Sequence, residues 1–162
     1  MNKKKSVLFV CTGNICRSPT AEGVLRHKLA QAGLGGIVAV DSAGTQGYHT
    51  SEPPDPRAVK AAARRGYDLS QLKARPIRPE DFAVTDWLLA MDRTHLEWLQ
   101  RRSAAAQVRS GLLMALSSRH LGVDEVPDPY YGGPEGFERV LDLIEDACDG
   151  VVMRLRAGQP LL

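Results

Sequence analysis

The chain has few cysteines, few aromatic residues and no long apolar run. Its three cysteines cannot all pair, which argues against a disulfide framework and favours a reducing compartment, so we expect a cytoplasmic protein with secretion left open. The longest apolar runs, such as residues 112–116, fall far short of the roughly 20 residues of a membrane-spanning helix. We therefore expect no membrane partner and one domain over residues 1–162, with 43% apolar residues to build its core.

An excess of charge of one sign is also absent. The 21 Lys and Arg residues are balanced by 19 Asp and Glu, and a net charge of +2 argues against an electrostatic nucleic-acid binder. The spacing of Cys11 and Cys16 matches no pair of zinc ligands, and the four histidines are scattered along the chain. We expect no metal, no other cofactor and no nucleic-acid partner.

Short apolar segments alternate with amphipathic ones along the chain. Strands are predicted at residues 6–10, 37–40, 87–91 and 112–116. Helices are predicted at residues 18–33, 55–66, 79–82 and 94–102, and from Pro134 onward. The last helix carries an apolar stripe that includes Phe137, Ile144 and Cys148, and we expect this stripe to face the core. The alternation predicts an α/β fold: a four-stranded parallel sheet with helices on both faces.

A polar loop at residues 11–17 separates the first predicted strand from a helix start, with Ser18 as N-cap and Pro19 as first helical residue. Ligands of open α/β sheets bind at the carboxyl ends of strands. A tetrahedral oxyanion can be bound here by the loop amides, the helix N-terminus and the guanidinium of Arg17. The Walker pattern is absent, so a nucleoside triphosphate is not expected. The sequence predicts a phosphate-binding loop between strand 1 and helix 1.

Cys11 begins this loop, and five residues separate it from Arg17. A helix N-terminus and a nearby arginine lower the pKa of a cysteine thiol from about 8.5 to roughly 3.5–7.5, so a thiolate nucleophile is expected here. This spacing alone is weak evidence, but it gains weight between a strand and a Ser-Pro helix start. Taken alone, the loop also allows Cys11 and Cys16 to be small buried residues and Arg17 a surface cation.

The string CTGNICRSP at residues 11–19 closely resembles the phosphate-binding loop of the low-molecular-weight protein tyrosine phosphatases. Residues 41–45, 53–58, 91–92 and 128–132 resemble further blocks of that family in the same order. The resemblance extends from about residue 7 to the final helix. It implies a cysteine-dependent, metal-independent hydrolase that cleaves phosphotyrosine monoesters through a phosphocysteine intermediate.

The resemblance also implies a role for each residue of the site. Cys11 is the nucleophile, Arg17 binds phosphate and stabilises the transition state, and Asp128 is the general acid and base, although Asp128-Pro129 is also an ordinary turn-forming pair. Asn14, supported by Ser42, holds the loop in shape, and Ser18 is the hydroxyl partner of the thiolate. The residues implied in phosphate binding are Thr12, Gly13, Asn14, Ile15, Cys16, Arg17 and Ser18.

Aromatic residues are implied to form the substrate cleft. Tyr48, Tyr130 and Tyr131 resemble the family's cleft walls and favour a flat phosphotyrosine ring over the shorter phosphoserine, while His49 is expected at the rim. The implied partners are phosphotyrosine-containing proteins, with a bacterial tyrosine kinase as one candidate, and inorganic phosphate or other oxyanions at the loop.

Three alternatives concern the thiols and the loop. Cys16 either forms a protective disulfide with an oxidised Cys11 or only packs beneath the loop. Thiol-dependent arsenate reduction needs a relay of cysteines, and none lies between Cys16 and Cys148, which we expect in the core. Protein-arginine phosphatases of the family resemble this loop with threonine in place of Ile15. The larger apolar side chain favours phosphotyrosine.

Overall fold

The computed structural model describes residues 4–162, without the side chains of residues 105, 107 and 108. Its strands are β1 (Lys5–Cys11), β2 (Val38–Gly44), β3 (Trp87–Ala90) and β4 (Ser110–Leu112), all parallel and in the order β2-β1-β3-β4. The chain runs from β1 to β2 on one side and then returns to β3 on the other. The crevice beside the carboxyl end of β1 is therefore the switch point at which open α/β sheets bind ligands.

Helices cover both faces of this sheet, which confirms the predicted fold class. They are α1 (Arg17–Gln31), α2 (Pro56–Arg64), α3 (Pro79–Val84), α4 (Arg93–Arg102), α5 (Ala104–Arg109) and α6 (Pro134–Arg156). Side chains of β1 alternate between two cores: Val7 and Phe9 pack with residues of α1, α2 and α6, whereas Leu8 and Val10 pack with residues of α4 and α5. No helix in the described part of the chain is long and apolar enough to span a membrane.

The first helix begins earlier than the sequence indicates. Cys16 is its N-cap and Arg17 its first residue, whereas Ser18 and Pro19 were the predicted N-cap and first position. A proline remains compatible with this start because the first-turn N–H groups of a helix have no intrahelical partner. The earlier start places Arg17 on the helix itself. Gly33 then follows the helix in the left-handed region, at φ 73°, as a C-terminal glycine is expected to.

Two predicted strands have different bounds in the structure. β2 continues to Gly44, well beyond the predicted residues 37–40, because Asp41 and Ser42 pair with β1 despite their turn-like sequence. The predicted strand at residues 112–116 is wrong: β4 ends at Leu112, and Leu113–Leu116 form a 3-10 helix. A short apolar run does not distinguish a strand from a buried helical turn. Helix α5 has no counterpart among the predicted helices, since its alanine-rich sequence offers little amphipathic contrast.

The apolar stripe of α6 is buried, as predicted, from Phe137 to Val151, with Cys148 fully enclosed. Gly150 lies on the same helix where α6 crosses the 3-10 helix. A Cβ at this position would overlap the carbonyl oxygen of Leu116. The close approach of the two segments therefore requires a glycine here, although glycine lowers the intrinsic stability of a helix interior.

Gly150→Ala is expected to destabilise the protein by about 1–3 kcal/mol, because relieving the overlap must move α6 or the 3-10 helix. Helix propensity alone predicts the opposite sign, a gain of about 1 kcal/mol. Gly136→Ala is the matched control on the same helix, since its nearest neighbour would be Pro129 at an ordinary 3.6 Å. Denaturant unfolding of both variants measures the effect, and a Gly150→Ala protein as stable as wild type would contradict it.

Candidate active site

The loop between β1 and α1 is shaped by the side chain of Asn14. Asn14 has a left-handed φ of 57°, which asparagine tolerates better than most residues, and its side chain is buried. Its amide nitrogen donates to the hydroxyls of Ser18 at 2.7 Å and Ser42 at 2.9 Å, and its amide oxygen accepts from the backbone N–H of Arg75 at 3.0 Å. The amide thus ties the turn to α1, β2 and the segment before α3.

Cys11 lies at the carboxyl end of β1 with its sulfur 2.9 Å from the hydroxyl oxygen of Ser18. The Ser18 oxygen already accepts a hydrogen bond from Asn14, so its own proton is free to point at the sulfur. Ser42 donates its proton to Glu22 at 2.6 Å and so leaves its oxygen to accept from Asn14. The network presents one hydroxyl donor to Cys11, which stabilises a thiolate.

Arg17 is fixed by two partners that are distant in sequence. Its side chain is only 5% exposed, and one terminal nitrogen donates to Asp92 at 2.8 Å and to the carbonyl of Val126 at 3.0 Å. The other lies 3.8 Å from a carboxylate oxygen of Asp128. Although burial acts to raise it, the pKa of Asp92 is held below its usual value by the charge of His95 when that residue is protonated and by the hydrogen bond from Arg17. A charged Asp92 therefore sets the plane of the guanidinium.

A cavity of about 220 Å³ opens over this loop. The three predicted catalytic residues line it together with all four predicted cleft residues. Tyr48 and Tyr131 are 73% and 91% exposed, so they form the mouth of the cleft, while the ring of Tyr130 stacks edge-on against that of Tyr131. The lining residues are Cys11, Thr12, Gly13, Ile15, Cys16, Arg17, Tyr48, His49, Asp128, Tyr130 and Tyr131.

The family model of low molecular weight phosphotyrosine protein phosphatases matches residues 6–160. The chain belongs to this family. A putative low molecular weight protein-tyrosine-phosphatase of Synechocystis is 45% identical over 92% of this chain and 95% of its own. The human low molecular weight phosphotyrosine protein phosphatase is 40% identical over 89% of this chain and 91% of its own. The resemblance found in the sequence is confirmed.

Solved structures agree with the sequence relatives. A protein tyrosine phosphatase of Entamoeba histolytica, with Hepes in its active site, has a TM-score of 0.91 and 37% identity, covering 96% of this chain and 99% of its own. YfkJ of Bacillus subtilis has a TM-score of 0.89 and 32% identity, and the match covers 97% of this chain and 98% of YfkJ. The phosphatase fold thus extends over nearly the whole chain.

Three residues predicted to serve the site pack against the phosphate-binding loop and do not line the cavity. Asn14, Ser18 and Ser42 are buried and line none of it. The Ser18 hydroxyl contacts the Cys11 sulfur, and Asn14 and Ser42 are joined by a hydrogen bond that holds the loop. These contacts are typical of supporting residues. A direct role of Asn14 and Ser18 in phosphate binding stays a prediction.

Cys16 differs from Cys11 in its surroundings. Burial, followed by the charge of Asp55, raises the pKa of the Cys16 thiol to about 12, so it is a neutral thiol near neutral pH. All three cysteines are free in the structure. A neutral thiol beside a nucleophile is compatible both with packing and with later disulfide formation, and the protective disulfide stays a prediction.

Sequence reasoning gave no role to Asp92, His95, Glu22 or Arg57. Asp92 could have been found, because it follows β3, whose carboxyl end lies beside that of β1. The other three act through contacts distant in sequence: His95 reaches Thr12, Glu22 reaches Ser42, and the Arg57 guanidinium lies 5.4 Å from the ring centroid of Tyr130. Only the packing of α1, α2 and α4 around the loop makes these contacts.

Proposed function

We propose that this phosphatase hydrolyses phosphotyrosine monoesters in proteins through a phosphocysteine intermediate on Cys11. The observation that carries the proposal is the convergence of Cys11, Arg17 and Asp128 on one cavity with aromatic residues at its mouth. A nucleophile, a fixed cation and an acid are what this reaction needs, because the uncatalysed hydrolysis of phosphate monoesters is extremely slow.

In the first step, the Cys11 thiolate attacks phosphorus, a sulfur–phosphorus bond forms, and the bond from phosphorus to the tyrosine oxygen breaks. Asp128 gives its proton to that oxygen as it leaves, so the tyrosine side chain of the substrate departs as a neutral phenol. In the second step, the Asp128 carboxylate takes a proton from water as the water oxygen bonds to phosphorus. The sulfur–phosphorus bond breaks, and inorganic phosphate and the thiolate are released.

Charge placement supplies most of the stabilisation in this mechanism. Arg17, oriented by Asp92 and Val126, offers its free N–H groups to the oxygens of the transferred phosphoryl group. The loop amides bind the remaining oxygens, with Asn14 fixing their turn. The Ser18 hydroxyl stabilises the sulfur anion both before attack and when the thiolate leaves.

The depth of the cleft supports an aryl phosphate. Cys11 is buried at the bottom, whereas Tyr48 and Tyr131 stand at the exposed mouth. A phosphoserine side chain is too short to place its phosphorus at the sulfur while its peptide stays outside. Ile15 lines the cavity beside the expected ring position and offers an apolar contact in place of the threonine of the arginine phosphatases. Arsenate reduction is less well supported, because Cys148, the third thiol, is fully buried in the core.

The decisive experiment compares peptides of one sequence that carry phosphotyrosine, phosphoarginine or phosphoserine, with a chelator and a reductant present. We expect the wild-type protein to hydrolyse the phosphotyrosine peptide with the highest kcat/KM by a wide margin. Ile15→Thr is the matched variant and should raise relative turnover of phosphoarginine. Preference of the wild type for phosphoarginine would keep the thiolate mechanism but refute the substrate, and turnover of none would refute both.

Phosphotyrosine proteins are the proposed partners, with inorganic phosphate as product at the loop. A bacterial tyrosine kinase as partner and a cytoplasmic location both stay predictions.

A further inference from the structure

His95 in the first turn of α4 lies between the two ends of the phosphate loop. Its Nε2 is 2.8 Å from the hydroxyl oxygen of Thr12, the second residue of the loop. Its Nδ1 is 3.1 Å from Oδ1 of Asp92, at an angle too poor for a hydrogen bond, and its backbone N–H donates to the same oxygen. The other Asp92 oxygen accepts from Arg17, the last residue of the loop. The contacts form one path from Thr12 to Arg17.

The imidazole of His95 is enclosed and neutral. The residue is 1% exposed, and burial lowers the pKa of His95 to about 4, against the opposing effect of Asp92. The other charged groups that face it are Arg17, Asp128 and Glu125. Near neutral pH the ring therefore carries one N–H and one lone pair.

The position of Asp92 favours one tautomer. Nδ1 lies 3.1 Å from the negatively charged Asp92 carboxylate, and this charge favours a partly positive N–H over a lone pair on that nitrogen even without a hydrogen bond. Nε2 then accepts, and the Thr12 hydroxyl donates to it. The Thr12 carbonyl accepts at the same time from the backbone N–H of Gln46 at 3.0 Å. Thr12 is thus held through both its side chain and its backbone, which fixes the peptide unit that leads to Gly13.

We infer that His95 is a positioning residue of the phosphatase reaction: its side chain holds Thr12 at the start of the phosphate loop, while its backbone N–H holds Asp92, the partner of Arg17 at the end of the loop. The inference rests on the proposed function, because the His95 contact matters only if the loop binds the phosphate of a substrate. Displacing a binding group by about 1 Å can cost around a hundredfold in rate, so a buried brace of this kind affects turnover without touching substrate.

The test compares His95→Leu, His95→Gln and His95→Asn. Leucine fills the space without a polar atom, glutamine reaches Thr12 with its terminal amide, and asparagine is too short to do so. Steady-state hydrolysis of para-nitrophenyl phosphate, inhibition by inorganic phosphate and thermal unfolding are measured for each. We expect His95→Leu and His95→Asn to lose about 10- to 100-fold in kcat/KM and to be inhibited less by phosphate, and His95→Gln to recover most of this loss.

A double-mutant cycle with Thr12→Val isolates the contact itself. Thr12→Val keeps the shape of the side chain but removes the hydroxyl, so the His95→Leu/Thr12→Val protein should be little worse than the poorer single variant. His27→Leu is the control for removing a histidine, because His27 packs edge-on against Tyr67 away from the cavity. It should keep wild-type kcat/KM.

Two results would overturn the inference. The first is a loss of kcat/KM in His95→Gln as large as that in His95→Leu, with both losses tracking the loss of thermal stability. The second is that the losses of the two single variants add up in the double variant. Both describe a histidine that only fills space. If His95→Leu fails to fold, the glutamine and asparagine pair still separates the two roles. If the wild-type protein does not hydrolyse the aryl phosphate, the proposed function fails, and calorimetric binding of inorganic phosphate to the same variants then decides the positioning role.

Discussion

Replacing Cys11 by serine is expected to lower kcat on a phosphotyrosine peptide by about 10⁴-fold or more. A serine hydroxyl stays protonated under conditions in which a cysteine forms a thiolate, so the nucleophile is lost. Inorganic phosphate should still bind, because Asn14 and Arg17 hold the loop through contacts that do not involve the sulfur. Steady-state kinetics and calorimetric phosphate binding on the same preparation measure the two effects.

Cys148→Ala is the matched control for removal of a thiol. Cys148 lies in the core on α6, remote from the cavity, so this variant should lose stability but keep its kcat. Rapid acid quenching of the wild-type reaction should also trap phosphate on the protein, and Cys11→Ser should trap none. Turnover by Cys11→Ser within tenfold of wild type would mean that water attacks phosphorus directly.

Asp128→Asn is expected to slow hydrolysis by about 10²- to 10⁴-fold for a tyrosine leaving group, and much less for para-nitrophenyl phosphate. The nitrophenolate leaves without a proton, whereas the tyrosine oxygen needs one. Asparagine still accepts the hydrogen bond that the backbone N–H of Tyr130 gives to Oδ1, so the local turn should persist. The ratio of the two substrates therefore reports the acid itself.

The dependence of turnover on the leaving group supplies a second readout for Asp128. Across aryl phosphates whose leaving groups become more basic, turnover by Asp128→Asn should fall more steeply than turnover by the wild type, because the more basic oxygens need a proton to leave. Asp124→Asn is the control from the same segment, since Asp124 pairs with Arg93 at the surface, and it should keep the wild-type dependence. The same dependence in Asp128→Asn and in the wild type would assign the acid to another group.

Most of the fold could be predicted because its pattern is local. The apolar run of β1, the Asp55-Pro56 start of α2 and the stripe of α6 each lie within one segment, and the structure confirms each. The failures concern segments whose structure depends on what covers them. Residues 113–116 are apolar enough for a strand, but they turn into a 3-10 helix where they pack against α6.

The candidate site also has a part that the local sequence predicts and a part that depends on packing. The sequence by itself determined which groups the loop offers, since the proposed nucleophile Cys11, the amides proposed to bind phosphate, Arg17 and the Ser18 hydroxyl are contiguous between a strand and a helix. Only the tertiary structure decided how Arg17 is aimed: the carbonyl of Val126 that holds it lies 109 residues away, and Asp92 and His95 arrive with β3 and α4. Such contacts depend on how strands are ordered and helices packed, and no local pattern encodes that order.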